Sequence, residues 1–126
     1  MNSVEIAFGG KEYTLLHNGY AMFQLRELFG EELMDRMYES TPEGFETLCK
    51  VAEVLSEQGE LARRYEGKDP HDTLKAEQVK IKASPLEAAQ IRNDVVKAIL
   101  KGFGREIEDE EKDLALAELE QKKTES

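Results

Sequence analysis

The chain has little of what most enzymatic and metal-binding chemistry requires. One of its 126 residues is cysteine, Cys49, and two are histidine, His17 and His71. A single thiol forms no internal disulfide, and a reducing cytoplasm is the expected setting. The sequence holds no CxxC, no HxxxH and no Cys/His cluster with zinc-ligand spacing, so no metal is expected. Phosphate-cradling glycine patterns are missing too. Gly9-Gly10 belongs neither to GxGxxG nor to GxxxxGK[ST], and no GxSxG elbow occurs. No cofactor is expected on these grounds. No apolar run approaches the roughly 20 residues that span a bilayer. The opening MNSVEIAFGGKEY lacks the basic and apolar regions of a signal peptide. Basic side chains are outnumbered, with 17 Lys and Arg against 27 Asp and Glu and a net charge of −10. That balance disfavours phosphate neutralisation on nucleic acid and adhesion to an anionic membrane.

What is there suits one small domain. Hydrophobic residues make up 40% of the chain, enough for a modest core, and charged residues 35%, above the usual quarter. The carboxylates fall mainly in solvated runs such as residues 106–111. A catalytic acid needs a buried, perturbed carboxyl, so a non-enzymatic role is expected.

Local patterns place the elements. In SVEIAF (Ser3–Phe8), Val4, Ile6 and Phe8 alternate with polar or small residues. In KEYTLL (Lys11–Leu16), Tyr13 and Leu15 do the same. Period two marks strands. Gly9 and Gly10 between them tolerate the positive φ of a two-residue hairpin turn. A lone hairpin is marginal in water, so its apolar face needs helices. Asn18 is a candidate cap. Met22, Leu25, Phe29, Leu33 and Met37 then follow at helical spacing over residues 19–39, interrupted by Gly30, where the helix bends or stops. Thr41-Pro42 is a cap followed by a first-turn proline. The stripe behind it is Phe45, Leu48, Ala52, Leu55 and Ala62, with Cys49 and Val51 on its shoulders. Gly59 either ends or weakens that helix, and residues 63–72 read as a loop. Residues 73–83 fit a short helix or an irregular segment. Ser84-Pro85 with Glu87 forms a capping box. Ala88, Ile91, Val95, Ala98 and Ile99 make one face of the helix that follows, with Val96 and Leu100 beside it, and Gly102 and Gly104 end it.

Residues 105–126 differ in kind. They carry nine acidic and four basic side chains, half of the net charge. Ile107, Leu114, Leu116 and Leu119 are too sparse for a core face. This tail reads as a solvated helix, a disordered segment that folds on a partner, or a solubilising appendage. The expected architecture is α+β and mostly helical. An N-terminal β-hairpin packs on three or more helices over residues 1–104, followed by the acidic tail, 105–126.

The opening FGGKEYTL and then NGYAMFQLRELFG resemble the small tail assembly chaperones of long-tailed bacteriophages and prophages. In those proteins a GGKEY hairpin flanked by apolar residues leads into a helix whose apolar rhythm ends in glycine. SPLEAAQIRNDVVKAILKGF, residues 84–103, is similar to the family's last core helix, and an acidic, Lys-containing C-terminus is also common there. The resemblance implies a non-enzymatic protein that binds the tape measure protein, keeps it soluble and helps tail tube protein assemble around it. It implies the cytoplasm of a bacterial host and absence from the mature virion. It leaves homo-oligomerisation open. Many relatives also have a longer frameshifted product.

A holdase needs apolar surface that stays soluble, and a net charge of −10 supplies self-repulsion. Helix-in-groove recognition uses an exposed apolar stripe. The candidate partner-binding residues are Val96, Leu100 and Phe103 on the late helix and Leu114, Leu116 and Leu119 in the tail. Ordinary core packing competes for the first three. Met34 and Met37, one turn apart, fit either core filling or an adaptable patch. Tyr20 and Tyr38 fit the edge of a core. The alternative is a small acidic regulatory protein, such as an antitoxin or nucleic-acid mimic.

Overall fold

The computed structural model describes residues 2–104. The acidic segment 105–126, with Leu114, Leu116 and Leu119, lies outside the described residues. Strands β1 (Ser3–Phe8) and β2 (Lys11–Leu16) form an antiparallel hairpin, followed by five helices: α1 (Gly19–Phe29), α2 (Leu33–Met37), α3 (Pro42–Tyr65), α4 (Ala76–Lys82) and α5 (Pro85–Gly102). One 3-10 turn, Gly30–Glu32, joins α1 to α2. The fold is α+β and mostly helical, with the hairpin packed on the helices.

Ile6 pairs with Tyr13 and Val4 with Leu15. The side chains expected on one face therefore do lie together. Gly9 and Gly10 take φ of 60° and 79°, the left-handed backbone that a two-residue turn with right-handed strands requires. Ile6, Phe8, Tyr13 and Leu15 are buried in the main core. Full burial of a side chain such as Leu15 contributes about 1.5–3 kcal/mol. On the other face Thr14 is buried as well, and its hydroxyl donates to Glu5 Oε2 at 2.8 Å across the pair.

Helix α3 is the spine. It packs against β2, α1, α2, α4 and α5. This explains why its burial exceeds the single stripe read from spacing. Cys49, Val51 and Val54 are covered along with Leu48, Ala52 and Leu55, and so are Ser56, Gln58 and Glu60. Gly59 does not end the helix. A Cβ there would overlap the carbonyl oxygen of Thr14 on β2, so glycine is what lets helix and strand approach. The helix runs on to Tyr65, which corrects the reading of residues 63–65 as loop. Ion pairs from Glu60 to Arg63 and Arg64 support that last turn.

The caps stand where the sequence placed them. Asn18 Oδ1 accepts from Ala21 N–H, Thr41 Oγ1 from Gly44 N–H, and Ser84 with Glu87 forms a reciprocal box. Helix α1 stops at Phe29, before Gly30. Helix α5 lies against β1, β2 and α3, burying Ile91, Val95, Val96, Ala98 and Ile99. Val96 is therefore corrected: neighbours cover both shoulders of the apolar stripe, and this side chain has no exposed surface. Among the described residues no helix is long and apolar enough to cross a membrane.

Candidate functional site

Three places gather side chains that bear on function. The first is the meeting of α1 and α5. The His17 backbone abuts Gly102, and the His17 ring lies 5.1 Å from the Phe103 ring, tilted by 56°. The last turn of α5 thus reaches the residue before the Asn18 cap, where α1 begins. Large rings on these elements stand out into solvent: Tyr20 and Phe23 on α1 and Phe103 just past α5 are 64%, 63% and 59% exposed. Leu28, further along α1, is exposed as well. Single exposed apolar residues are ordinary; several large exposed rings on adjoining elements mark interaction surfaces. Burial holds the His17 imidazole below its ordinary 6.5, and its Nδ1 has no hydrogen-bond partner.

Of the predicted partner residues, Phe103 belongs to this surface. Leu100 is partly buried against the core and Val96 is inside it. Tyr20, expected at a core edge, is exposed, whereas Tyr38 is buried. Met37 is in the core and Met34 packs against it, so core filling describes both. Phe23 was missed. The available signal was that Tyr20 and Phe23, three apart, lie off the Met22–Leu25–Phe29 stripe.

The second place is a polar cleft of about 430 Å³ between the hairpin tip and the segment after α3, lined by Lys11, Tyr13, His71 and Asp72. Lys11 Nζ meets Asp72 Oδ2 at 2.7 Å, both side chains well exposed, and Gln78 Nε2 donates to Tyr13 Oη at 3.2 Å. Their mutual hydrogen bond raises the Lys11 pKa and lowers that of Asp72. Both shifts move the groups away from neutral pH, the opposite of what proton transfer needs.

The third is a row of acceptors along α3. Glu53, Ser56 and Glu60, three and four residues apart, face the segment between α3 and α4. Ala76 N–H donates to Glu53 Oε2 at 2.7 Å, Leu74 N–H to Ser56 Oγ at 2.8 Å and His71 N–H to Glu60 Oε2 at 2.6 Å. Arg63 and Arg64 add two bonds to Glu60 at 2.8 Å each and reach back to the carbonyls of Asp69 and His71. Burial pushes the Glu60 pKa up, but the His71 N–H and the two guanidiniums outweigh it, leaving the carboxyl below its usual range. These bonds hold backbone, with fully buried Leu74 plugged beneath. The row is a structural strap.

Cys49 has little nucleophilic character. Burial pushes its thiol up to about 11. Among the described residues no group of three or more His, Cys, Asp or Glu side chains is placed to hold a metal ion. Comparison with protein-family models, curated proteins and solved structures finds no match.

Proposed function

We propose that the protein is a tail assembly chaperone of a long-tailed phage or prophage. In this reading it is a non-enzymatic binder that holds apolar helices of the tape measure protein in the host cytoplasm while tail tube protein assembles. The observation that carries the reading is the exposed rings Tyr20 and Phe23 at the start of α1 and Phe103 past the end of α5, on a chain of net charge −10. It combines apolar contact area with self-repulsion, the pairing a holdase needs. The resemblance of the hairpin and first helix to the chaperone family supplies the client. The client surface shifts accordingly from Val96 and Leu100 to the start of α1 beside Phe103.

The test is co-expression with helical segments of a tape measure protein encoded beside the gene. A soluble complex is expected. Changing Tyr20, Phe23 and Phe103 together to Ser should reduce its recovery at least about tenfold, a loss of about 1.4 kcal/mol, with the circular dichroism spectrum unchanged. No complex with any segment, or full recovery with the triple variant, overturns the reading.

A further inference from the structure

At the opposite end of α5 the first turns of α3 and α5 border an open groove of about 560 Å³. Its lining is mixed, with Glu39, Ser40, Thr41 and Arg92 among apolar side chains. Phe45 lines one side, with buried Met37 and Leu48 behind it, while Ala88 and Ala89 of α5 are too small to fill the space. One cation enters this setting. Arg92, one turn past Ala88, places its guanidinium 4.7 Å from the centroid of the Tyr38 ring. Its Nε is shut off from water and has no hydrogen-bond partner, and among the described residues no carboxylate pairs with it. Glu39 on the rim is exposed, where water screens its charge.

A guanidinium that no carboxylate pairs with among the described residues, beside an open and partly apolar groove, can take an acceptor from outside through its terminal N–H groups. The planar guanidinium, steadied against an aromatic face, matches a carboxylate fork. We infer that this groove docks a segment of another protein in which a carboxylate stands among apolar side chains. The carboxylate meets Arg92 and the apolar groups cover Phe45, Ala88 and Ala89. This site is separate from Phe103 at the other end of α5 and does not depend on what the exposed rings bind.

Two labelled amphipathic peptides of about fifteen residues, long enough to form a helix, test the inference by fluorescence anisotropy with the full-length protein. They differ only in having Glu or Gln within the apolar stripe. The Glu peptide is expected to bind about tenfold tighter, as charge-assisted bonds are stronger than neutral ones. Arg92→Gln should erase that difference, and Ala89→Phe should block both peptides while thermal unfolding stays close to wild type. Equal binding of the two peptides, no binding of either, or a Glu preference that survives Arg92→Gln overturns the inference. If only the full-length variant with Leu114, Leu116 and Leu119 changed to Ser binds the peptides, the groove belongs to the protein's own C-terminal segment. If Arg92→Gln abolishes a dimer, it belongs to a second copy. Either result also overturns it.

Discussion

Glu60 should be the costliest polar side chain to remove. Its side chain is 6% exposed and takes three hydrogen bonds, from Arg63, Arg64 and the His71 amide. Glu60→Ala leaves Arg63, itself 11% exposed, charged and without its carboxylate. It also leaves the His71 N–H without its acceptor. Removing one partner of a buried pair costs about 3–5 kcal/mol. Arg64 is half-exposed and returns to water, so the lower end, about 3 kcal/mol, is expected. For a domain of this size that lowers the melting temperature by roughly 12–24 °C. Glu60→Gln keeps the shape but turns an amide donor toward other donors, so it should lie between wild type and Glu60→Ala.

The pH dependence of this effect has a definite sign. The Glu60 carboxyl titrates below its ordinary 4.5 in the folded chain. Its contribution is therefore complete above the unfolded value and lost as pH falls through the folded one. The gap in melting temperature between wild type and Glu60→Ala should be widest near neutrality and should close in acid. Thermal unfolding followed by circular dichroism measures the gap, and hydrogen exchange at the His71 amide locates it. A Glu60→Ala protein that melts with wild type at neutral pH, with His71 still protected, would refute the strap.

Gly10→Val puts a β-branched residue at a φ of 79° in open space. The loss, about 1–3 kcal/mol of backbone strain, should appear in denaturant unfolding with the m-value unchanged. Gly59→Ala is a contest of two effects. Helix propensity favours Ala by about 1 kcal/mol, but the overlap with Thr14 is a backbone clash worth about 1–3 kcal/mol or more, so the variant should melt lower; a higher melting point would remove the close approach. Cys49, with its thiol pushed up to about 11, should resist a thiol reagent until the protein unfolds, read by mass spectrometry. Burial holds the His17 pKa below 6.5, so the unfolded chain takes the proton first and stability falls as pH drops below that value. His17→Gln should flatten this part of the stability profile, and parallel profiles would argue against it.

Features that depend on neighbouring residues in sequence were legible. The hairpin turn, the caps at Asn18, Thr41 and Ser84, and the apolar face of α5 each follow from local backbone chemistry. Features that depend on what packs alongside were not. Gly59 reads as a helix breaker until β2 lies against it. Glu53, Ser56 and Glu60 read as a solvated face until the backbone of residues 71–76 donates to them, and for the same reason the path of residues 66–83 was open. Val96 sits off the main stripe of α5 and is buried because two elements, not one, cover that helix. Phe103, read with Val96 and Leu100 as one outer shoulder of the late helix, differs from them in standing exposed past its end.

The strap also bears on where function can reside. Along the second half of α3, polar side chains usually left for solvent or partners are committed to holding the segment that covers them. The hairpin tip is likewise tied to that segment by Lys11 and Asp72. Among the described residues, the two ends of α5 are outside that strap. Phe103 and the groove beside Ala88 lie about 22 Å apart at 1.5 Å per residue. At that separation no side chain serves both, and substitutions at one end should act independently of the other. The chaperone reading and the groove can therefore fail separately. Loss of client binding on changing the rings leaves the Arg92 peptide preference intact if both stand, and a preference without client binding removes the first reading alone.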